Sequence, residues 1–394
     1  MIKNITFSNF YSFAEETVID FALGKKPTPS GYDIDDDGQR YNKAVAVVGA
    51  NGSGKTQLLK PFAFLSWFVS ESFLNSDPDD EIPCEPHRLN VDEPSCFELE
   101  FQLYNVDYKY QLHIANKAVS FEALFEKTSS QFSYLFKREL TGNGYQFRQK
   151  GFPFPKAQAE RIRGNASLLG AAHSYDVKEA NPFIKFFHLI ATNVINNGRV
   201  PFERGSVVRV AELFHKQPEI LKRVSEAMCK FDLGLSGVDI RQLTGRSETG
   251  TEEKLYLPFG LHATADGETF ELPFFEESSG TQSAFVLLEP VLRTLHFGGI
   301  AVIDELDNDL HPHLVPHLLE WFEYDHTNPH NAQLIFTCHT PEVLNLLQKH
   351  QVYLVEKRNQ RSESWRLDEM TGLRADDNLY AKYMVGALGA TPEL

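Results

Sequence analysis

Long hydrophobic runs are missing from this sequence. No stretch approaches the roughly 18 uninterrupted apolar residues of a membrane-spanning helix, and the opening MIKNITFSNF has no charged segment followed by an apolar core of the kind that directs export. A cytoplasmic location without membrane contact is therefore expected. Cysteine is equally sparse: Cys84, Cys96, Cys229 and Cys338 form no C-x-x-C pair, which argues against a disulfide framework and a cysteine zinc site. Positive charge is in deficit, 38 Lys and Arg against 54 Asp and Glu, for a formal net charge of −16. Broad electrostatic attraction to nucleic acid is not expected from such a balance. Internal repeats, low-complexity tracts and long heptad runs are absent too, which argues against solenoids and extended coiled coils. What remains is ordinary globular composition over 394 residues, enough for one large core or two lobes.

Along the chain, Ile2 to Phe21 alternates apolar and polar residues in two runs split by Asn9-Phe10-Tyr11-Ser12-Phe13, which predicts a pair of strands. A polar loop from Gly24 to about Tyr41 follows. Ala44 to Val48 is apolar throughout, the pattern of a strand buried on both faces, and it runs into GANGSGKT and a helical stretch from Gln57 to Phe73. Asp77 to Pro94 is acidic and Pro-rich, a surface loop. Phe97 to Ser120 and Gln131 to Arg148 read as antiparallel strands, with turns at Asn105-Val106-Asp107 and Thr141-Gly142-Asn143-Gly144. From about Pro155 to Phe231 the pattern is predominantly helical, clearest over the amphipathic stretch Ala211 to Phe231.

Strands over Lys254 to Leu272 lead to Glu277-Ser278-Ser279-Gly280-Thr281-Gln282 and a helix to about Leu295. Strand Ile300 to Ile303, helix His313 to Tyr324, strand Gln333 to Thr337, helix Pro341 to Lys349 and strand Val352 to Glu356 then alternate as an α/β lobe. The expected fold class is α/β with a mixed or parallel core sheet, an antiparallel β subdomain and an inserted helical region. Its expected units are an N-terminal lobe at 1–75, inserted strands and helices at 76–270, a C-terminal lobe at 271–360 and a tail at 361–394.

Two motifs carry chemistry on their own. Gly49-Ala50-Asn51-Gly52-Ser53-Gly54-Lys55-Thr56 fits G-x-x-x-x-G-K-[ST] between an apolar strand and a helix. Glycines there let successive backbone N–H groups converge on phosphate oxygens, with the positive end of the helix behind them. Lys55 is expected on the β- and γ-phosphates of ATP, and the Thr56 hydroxyl on Mg²⁺. Asp304 and Glu305 close the apolar run Ala301-Val302-Ile303 at the strand end where open α/β sheets bind ligands. The pattern assigns Asp304 to Mg²⁺ through water and Glu305 to the attacking water as general base. His311, His313 and His317, with His326 and His330 nearby, form a histidine-rich stretch, but no Glu completes H-E-x-x-H and metal binding there is not expected.

With these motifs in place the sequence resembles the ATP-binding-cassette superfamily, in particular the soluble branch of chromosome-maintenance and recombination ATPases and the OLD family. Ser278-Ser279-Gly280-Thr281-Gln282 looks like that family's signature loop, with Thr281 in place of its second glycine. The resemblance implies that Ser279 and Gly280, with Gln282, reach a γ-phosphate held by the opposite subunit. It makes Leu306-Asp307-Asn308 the loop that communicates across the dimer, and His339 the switch histidine that senses γ-phosphate. The glutamine of the family's remaining loop is left open among Gln102, Gln111 and the Asn196-Asn197 region. The segments IKNITFSNFYSF, ESSGTQSAFVLLEPVL, IDELDNDLHPHL and RADDNLYAKYMVGALGATP resemble compact ATPases of bacterial abortive-infection and anti-phage systems, Septu-like and PARIS-like among them. Tyr11 stands where the commoner opening Asn-Phe-Arg-Ser-Phe has arginine.

The implied function is a dimeric or higher-oligomeric ATPase acting as a sensor or switch beside a separate effector, a nuclease or toxin, with DNA a further partner the resemblance allows. An OLD-type nuclease is the first alternative, but only about fifty-five residues follow His339, short for a nuclease domain. A DNA-repair or chromosome-organising ATPase is the second, and it would project coiled coils that this sequence lacks.

Overall fold

The computed structural model describes residues 1–231, 234–246, 252–308, 314–374 and 376–392. Its centre is a six-stranded sheet in the order Ile190–Thr192, Ile300–Ile303, Gln333–Thr337, Ala44–Val48, Val352–Arg358, Arg361–Arg366. The first five strands run parallel and the last is antiparallel, so the sheet is mixed. Its central strands Ile300–Ile303, Gln333–Thr337 and Ala44–Val48 are buried on both faces because both are covered. Val45, Val47, Val302 and Ile335 face one hydrophobic cluster with the helix Lys55–Asn75. Ala46, Ile303, Leu334 and Phe336 face a second cluster with the helix Ser279–Phe297.

Beyond the Lys55–Asn75 helix lies a seven-stranded antiparallel sheet, ordered Gly144–Gln149, Phe132–Thr141, Ala118–Lys127, Val106–Ala115, Ser95–Leu103, Ile2–Ser8, Thr17–Asp20. It draws strands from both sides of position 75. Gln333, wholly buried in the core sheet, ties the two sheets together, exchanging hydrogen bonds with both backbone groups of Ile2 at 2.7 and 2.9 Å. A three-stranded sheet, Gly237–Arg246, Glu252–Ala263 and Thr269–Pro273, stands before the Ser279–Phe297 helix.

Several elements depart from the sequence reading. Within the segment expected to be helical, Ile190–Thr192 pairs in parallel with Ile300–Ile303 and becomes the edge of the core sheet. Three residues are too few to display a strand period, and burial decides the matter. The amphipathic stretch expected over Ala211 to Phe231 is two helices, Arg204–His215 and Pro218–Lys230, because Pro218 lacks the N–H that a continuous helix needs. The Gly24 to Tyr41 loop folds a hairpin, Asp33–Asp36 with Gln39–Asn42. The helix expected from Pro341 is a 3-10 turn, Pro341–Asn345. The tail supplies Arg361–Arg366 to the core sheet.

Candidate nucleotide site

The strand Ala44–Val48 ends at Gly49, and the chain turns through Gly52 (φ +75°) and Gly54 (φ +113°) into the helix starting at Lys55. Side chains do not fit at the two ends of this turn. A Cβ on Gly49 would lie 2.2 Å from the Val355 carbonyl oxygen, and one on Gly54 would lie 2.5 Å from Ser362 Oγ. Lys55 curls over the loop and donates to the carbonyls of Gly49 (2.9 Å) and Ala50 (3.2 Å). Burial lowers the pKa of its ammonium, and the charges of Asp304, Glu305 and Asp307 oppose that shift.

Ile300–Ile303 delivers the two acids beside this loop. Asp304 is buried, and its Oδ2 accepts from the Thr56 hydroxyl at 2.8 Å while Oδ1 accepts from Thr337 Oγ1 at 2.6 Å. Its backbone is held by Asn193, whose amide exchanges two hydrogen bonds with it, at 2.7 and 3.0 Å. Glu305 has a left-handed backbone, φ +54°, which costs a non-glycine residue about 1–3 kcal/mol unless neighbours impose it. Here its N–H donates to Thr337 Oγ1 at 2.7 Å, and its carbonyl accepts from Asn308 N at 3.1 Å. The carboxylate is pinned between His339 Nε2 (3.0 Å to Oε1) and Arg199 Nη1 (3.0 Å to Oε2). Burial would raise its pKa, but the His339 hydrogen bond and the charge of Arg199 outweigh that and hold it below the usual carboxylate range.

Asn51, Gly52, Gly54, Lys55, Thr56, Gln57, Asp304, Glu305 and His339 line one cleft of about 500 Å³. Its contents fit a magnesium-bound nucleoside triphosphate. The glycines leave backbone where side chains would intrude, and among the described residues the Lys55 ammonium rests only on loop carbonyls. Thr56 and Asp304 set two hard oxygen donors side by side, the donor type that Mg²⁺ takes.

A family model described as "AAA domain, putative AbiEii toxin, Type IV TA system" matches residues 44–345, about three quarters of the sequence. The chain belongs to this family. No curated protein matches it. Among solved structures, this AAA-domain protein is similar to an SMC head bound to the C-winged helix domain of ScpA, at 14% identity and TM-score 0.46, covering 93% of this chain and 98% of that one. The SMC head domain from Thermotoga maritima matches at 16% identity and TM-score 0.40, with 93% and 98% covered. An SMC head domain with coiled coil and joint from Pyrococcus yayanosii matches at 11% identity and TM-score 0.45, with 98% and 99% covered.

The other residues singled out in this AAA-domain protein lie as follows. Asp307 accepts from the backbone N–H groups of His339 (3.1 Å) and Thr340 (2.7 Å), so its carboxylate shapes the loop that carries His339. Burial opposes ionisation of Asp307, but these donors and the Thr340 hydroxyl lower its pKa. Ser279 and Gly280 are exposed at the start of their helix and do not line the cleft. Gln282 is buried, and its side chain donates to the Glu277 carbonyl at 2.8 Å. Thr281 fits in place of glycine because it lies inside the first helical turn, its N–H donating to the Ser278 cap at 3.1 Å.

Gln102 and Gln111 are not in the cleft. They belong to the antiparallel sheet, where they donate to Asp36 and Glu98. The Asn196 carbonyl accepts from the Tyr11 hydroxyl and from Lys60 Nζ, each at 2.7 Å, and that ammonium sits 3.5 Å above the Tyr11 ring. A lysine from the helix thus occupies the space beside Tyr11. His311 and His313 lie outside the described residues, and His317 is exposed and pairs with Glu320 at 3.3 Å. No group of three or more His, Cys, Asp or Glu able to hold a metal occurs among the described residues. No helix among them is long and apolar enough to cross a membrane.

Asn193, Arg199, Thr337 and Gln57 were not singled out from the sequence. Asn193 and Arg199 are isolated polar residues without a motif around them, whereas Gln57 directly follows Thr56 and Thr337 stands two residues before His339. Only the order of apolar strand Ile190–Thr192 followed at once by Asn193 parallels the way Ile300–Ile303 presents Asp304, and that signal needed the strand to be recognised first.

Proposed function

We propose that this chain is a Mg²⁺-dependent ATPase whose two nucleotide sites are completed only when two copies pair through their ATPase heads. We assign it the role of sensor or switch in a prokaryotic anti-phage, abortive-infection complex whose destructive chemistry belongs to a separate effector. The observation that carries the pairing is the placement of Ser279 and Gly280. They start a helix in the open and take no part in their own cleft. A Cβ on Gly280 would meet nothing nearer than Ser278 Oγ at 3.9 Å, so the packing of its own chain does not require glycine there. A helix start with a bare backbone suits a phosphate presented by another molecule. The defence setting and the separate effector rest on the resemblance of segments such as IKNITFSNFYSF and ESSGTQSAFVLLEPVL to ATPases of abortive-infection and anti-phage systems; the family description itself names a putative toxin of a type IV TA system.

In this reading the loop amides and Lys55 grip the β- and γ-phosphates, and Thr56 and Asp304 hold the cation. Bound Mg²⁺ supplies charge that offsets the phosphate oxygens. Glu305 accepts a proton from the attacking water, and His339, 3.0 Å from that carboxylate, orients it toward the terminal phosphate. Asp307 ties the His339 loop to the chain segment that faces the partner.

The test is Glu305→Gln against Lys55→Ala, followed by phosphate release and light scattering. Glu305→Gln is expected to lose turnover at least about a hundredfold while keeping ATP and accumulating as a dimer. Lys55→Ala is expected to lose nucleotide binding itself. Full hydrolysis by Glu305→Gln would remove Glu305 from the base role, and a nucleotide-loaded monomer would remove the shared site.

A further inference from the structure

Immediately before the exposed Ser279-Gly280 turn, Glu277 is folded inward, with its side chain 7% exposed. Its Oε1 lies 2.8 Å from Nε2 of His262, which comes from the middle strand of the three-stranded sheet. The same imidazole reaches the Gly234 carbonyl with Nδ1 at 2.9 Å and stacks on Phe270, centroids 4.7 Å apart and planes 6° from parallel. Carboxylate and carbonyl oxygens are both acceptors. The imidazole is thus held from both nitrogens, by the Glu277 carboxylate on one side and the Gly234 carbonyl on the other, which fixes its place and plane.

The sheet is shaped around this contact. A Cβ at Gly260, next to His262 but one along the same strand, would fall 2.2 Å from Glu277 Oε1. From the helix side, Gln282 donates to the Glu277 carbonyl and Ser278 caps the first turn. Glu277 is therefore clamped from two elements, while the two residues after Ser278 stay bare.

We propose that His262 is a positioning residue for the composite nucleotide site: through Glu277 it fixes the orientation in which Ser279 and Gly280 are offered to the partner subunit's bound phosphate. The inference rests on the head-pairing reading above. It makes His262 act in trans, on the neighbour's turnover and not on its own cleft. Misplacement of a positioned group by about an ångström can cost on the order of a hundredfold in rate, so a clamp on this loop has leverage that its distance from the chemistry conceals.

The decisive experiment is subunit mixing. His262→Ala alone is expected to bind ATP as tightly as the unaltered protein yet turn over at least about tenfold more slowly. Lys55→Ala alone is inactive because its own loop is dead. Mixed in equal amounts, the two variants form heterodimers in which the intact loop of the His262→Ala subunit faces the intact signature of the Lys55→Ala subunit. About one quarter of the sites, and of the unaltered rate, should then return. Ser279→Arg mixed with Lys55→Ala is the control for pairing itself.

Recovery in both mixtures supports the proposal. Recovery with Ser279→Arg but not with His262→Ala overturns it and leaves head pairing intact, because the histidine would then be needed within its own subunit. No recovery in either mixture refutes head pairing, and the proposal falls with it. His262→Arg, which keeps an N–H donor toward Glu277, should restore part of the rate without any mixing. A variant no better than His262→Ala contradicts the positioning role of the contact to Glu277.

Discussion

Thr337 is the residue on which the arrangement of the two acids turns, and replacing it with valine isolates its hydroxyl. The side chain is completely buried, so valine keeps the shape and removes only one oxygen. That oxygen donates to Asp304 Oδ1 at 2.6 Å and accepts the Glu305 N–H at 2.7 Å. A hydrogen bond to a charged group contributes about 1.5–3 kcal/mol, and a buried N–H left without a partner costs about 1–3 kcal/mol. Because relaxation at one contact softens the other, the combined loss is expected at about 2–4 kcal/mol rather than the full sum. Urea denaturation followed by tryptophan fluorescence measures it directly. Thr337→Ser keeps the hydroxyl and should lose only about 1 kcal/mol, from the missing methyl group. ATP turnover should fall at least about tenfold in the valine variant, since the unusual Glu305 backbone loses its N–H anchor. If Thr337→Val unfolds within about 0.5 kcal/mol of the unaltered protein, the hydroxyl is not the keystone that these distances imply.

Three further outcomes are expected. Burial pushes the pKa of Lys60 down to about 8 from 10.5, against the opposing charge of Asp304. Its amine should therefore react with acetylating reagents with a midpoint near 8. Since its folded-state pKa lies below the unfolded one, it disfavours folding at neutral pH, and that cost is relieved as pH rises from about 8 through 10.5. A reaction midpoint near 10.5 would contradict its burial. Gly49→Ala forces a Cβ against the rigid Val355 carbonyl and should destabilise by more than about 1 kcal/mol and abolish nucleotide binding, whereas Gly280→Ala should leave the unfolding midpoint unchanged. Equal destabilisation by the two changes would refute the distinction. Arg199→Ala removes one of the groups that lower the Glu305 pKa, so the acid limb of the pH–rate profile should move to higher pH. An unmoved limb would mean that Arg199 does not tune this acid.

The phosphate loop was legible because its chemistry is local: strand, glycines, lysine and threonine are consecutive, and Ala44–Val48 had only one way to be apolar on both faces. Asp304 and Glu305 were legible for the same reason. What the sequence hid is whatever depends on distant partners. Asn193 and Asp304 are 111 positions apart, and nothing in either neighbourhood announces the pairing. His262 looked like one more polar residue in an alternating strand, because its importance lies in Glu277 fifteen positions later. Ile190–Thr192 is hidden by the helical pattern around it, and of the candidates for the remaining glutamine loop, Gln102, Gln111 and the Asn196-Asn197 region, the first two belong to another sheet. Local periodicity reports how a segment meets its neighbours in sequence, and these features are set by neighbours in space.

The phosphate loop is also stitched to residues far from it in sequence on both sides. Ser12 bonds to Gln57 and Ser362, Ser362 donates to the Ser53 carbonyl at 2.6 Å, and Ala50 N–H donates to the Ala390 carbonyl at 3.0 Å. The strand that leads into the loop sits between two strands that begin at Gln333 and Val352. During synthesis, then, the loop is made well before Ser362 and Ala390, the later residues that brace it. At about 5–20 residues per second the ribosome takes on the order of 15 to 60 seconds to travel from Gln57 to Ser362, and through that interval the nascent chain has the motif without the cradle. By this geometry the nucleotide proposed for the loop would find its cradle only once Ser362 and Ala390 have been made, so a copy still lacking them would be blind to it.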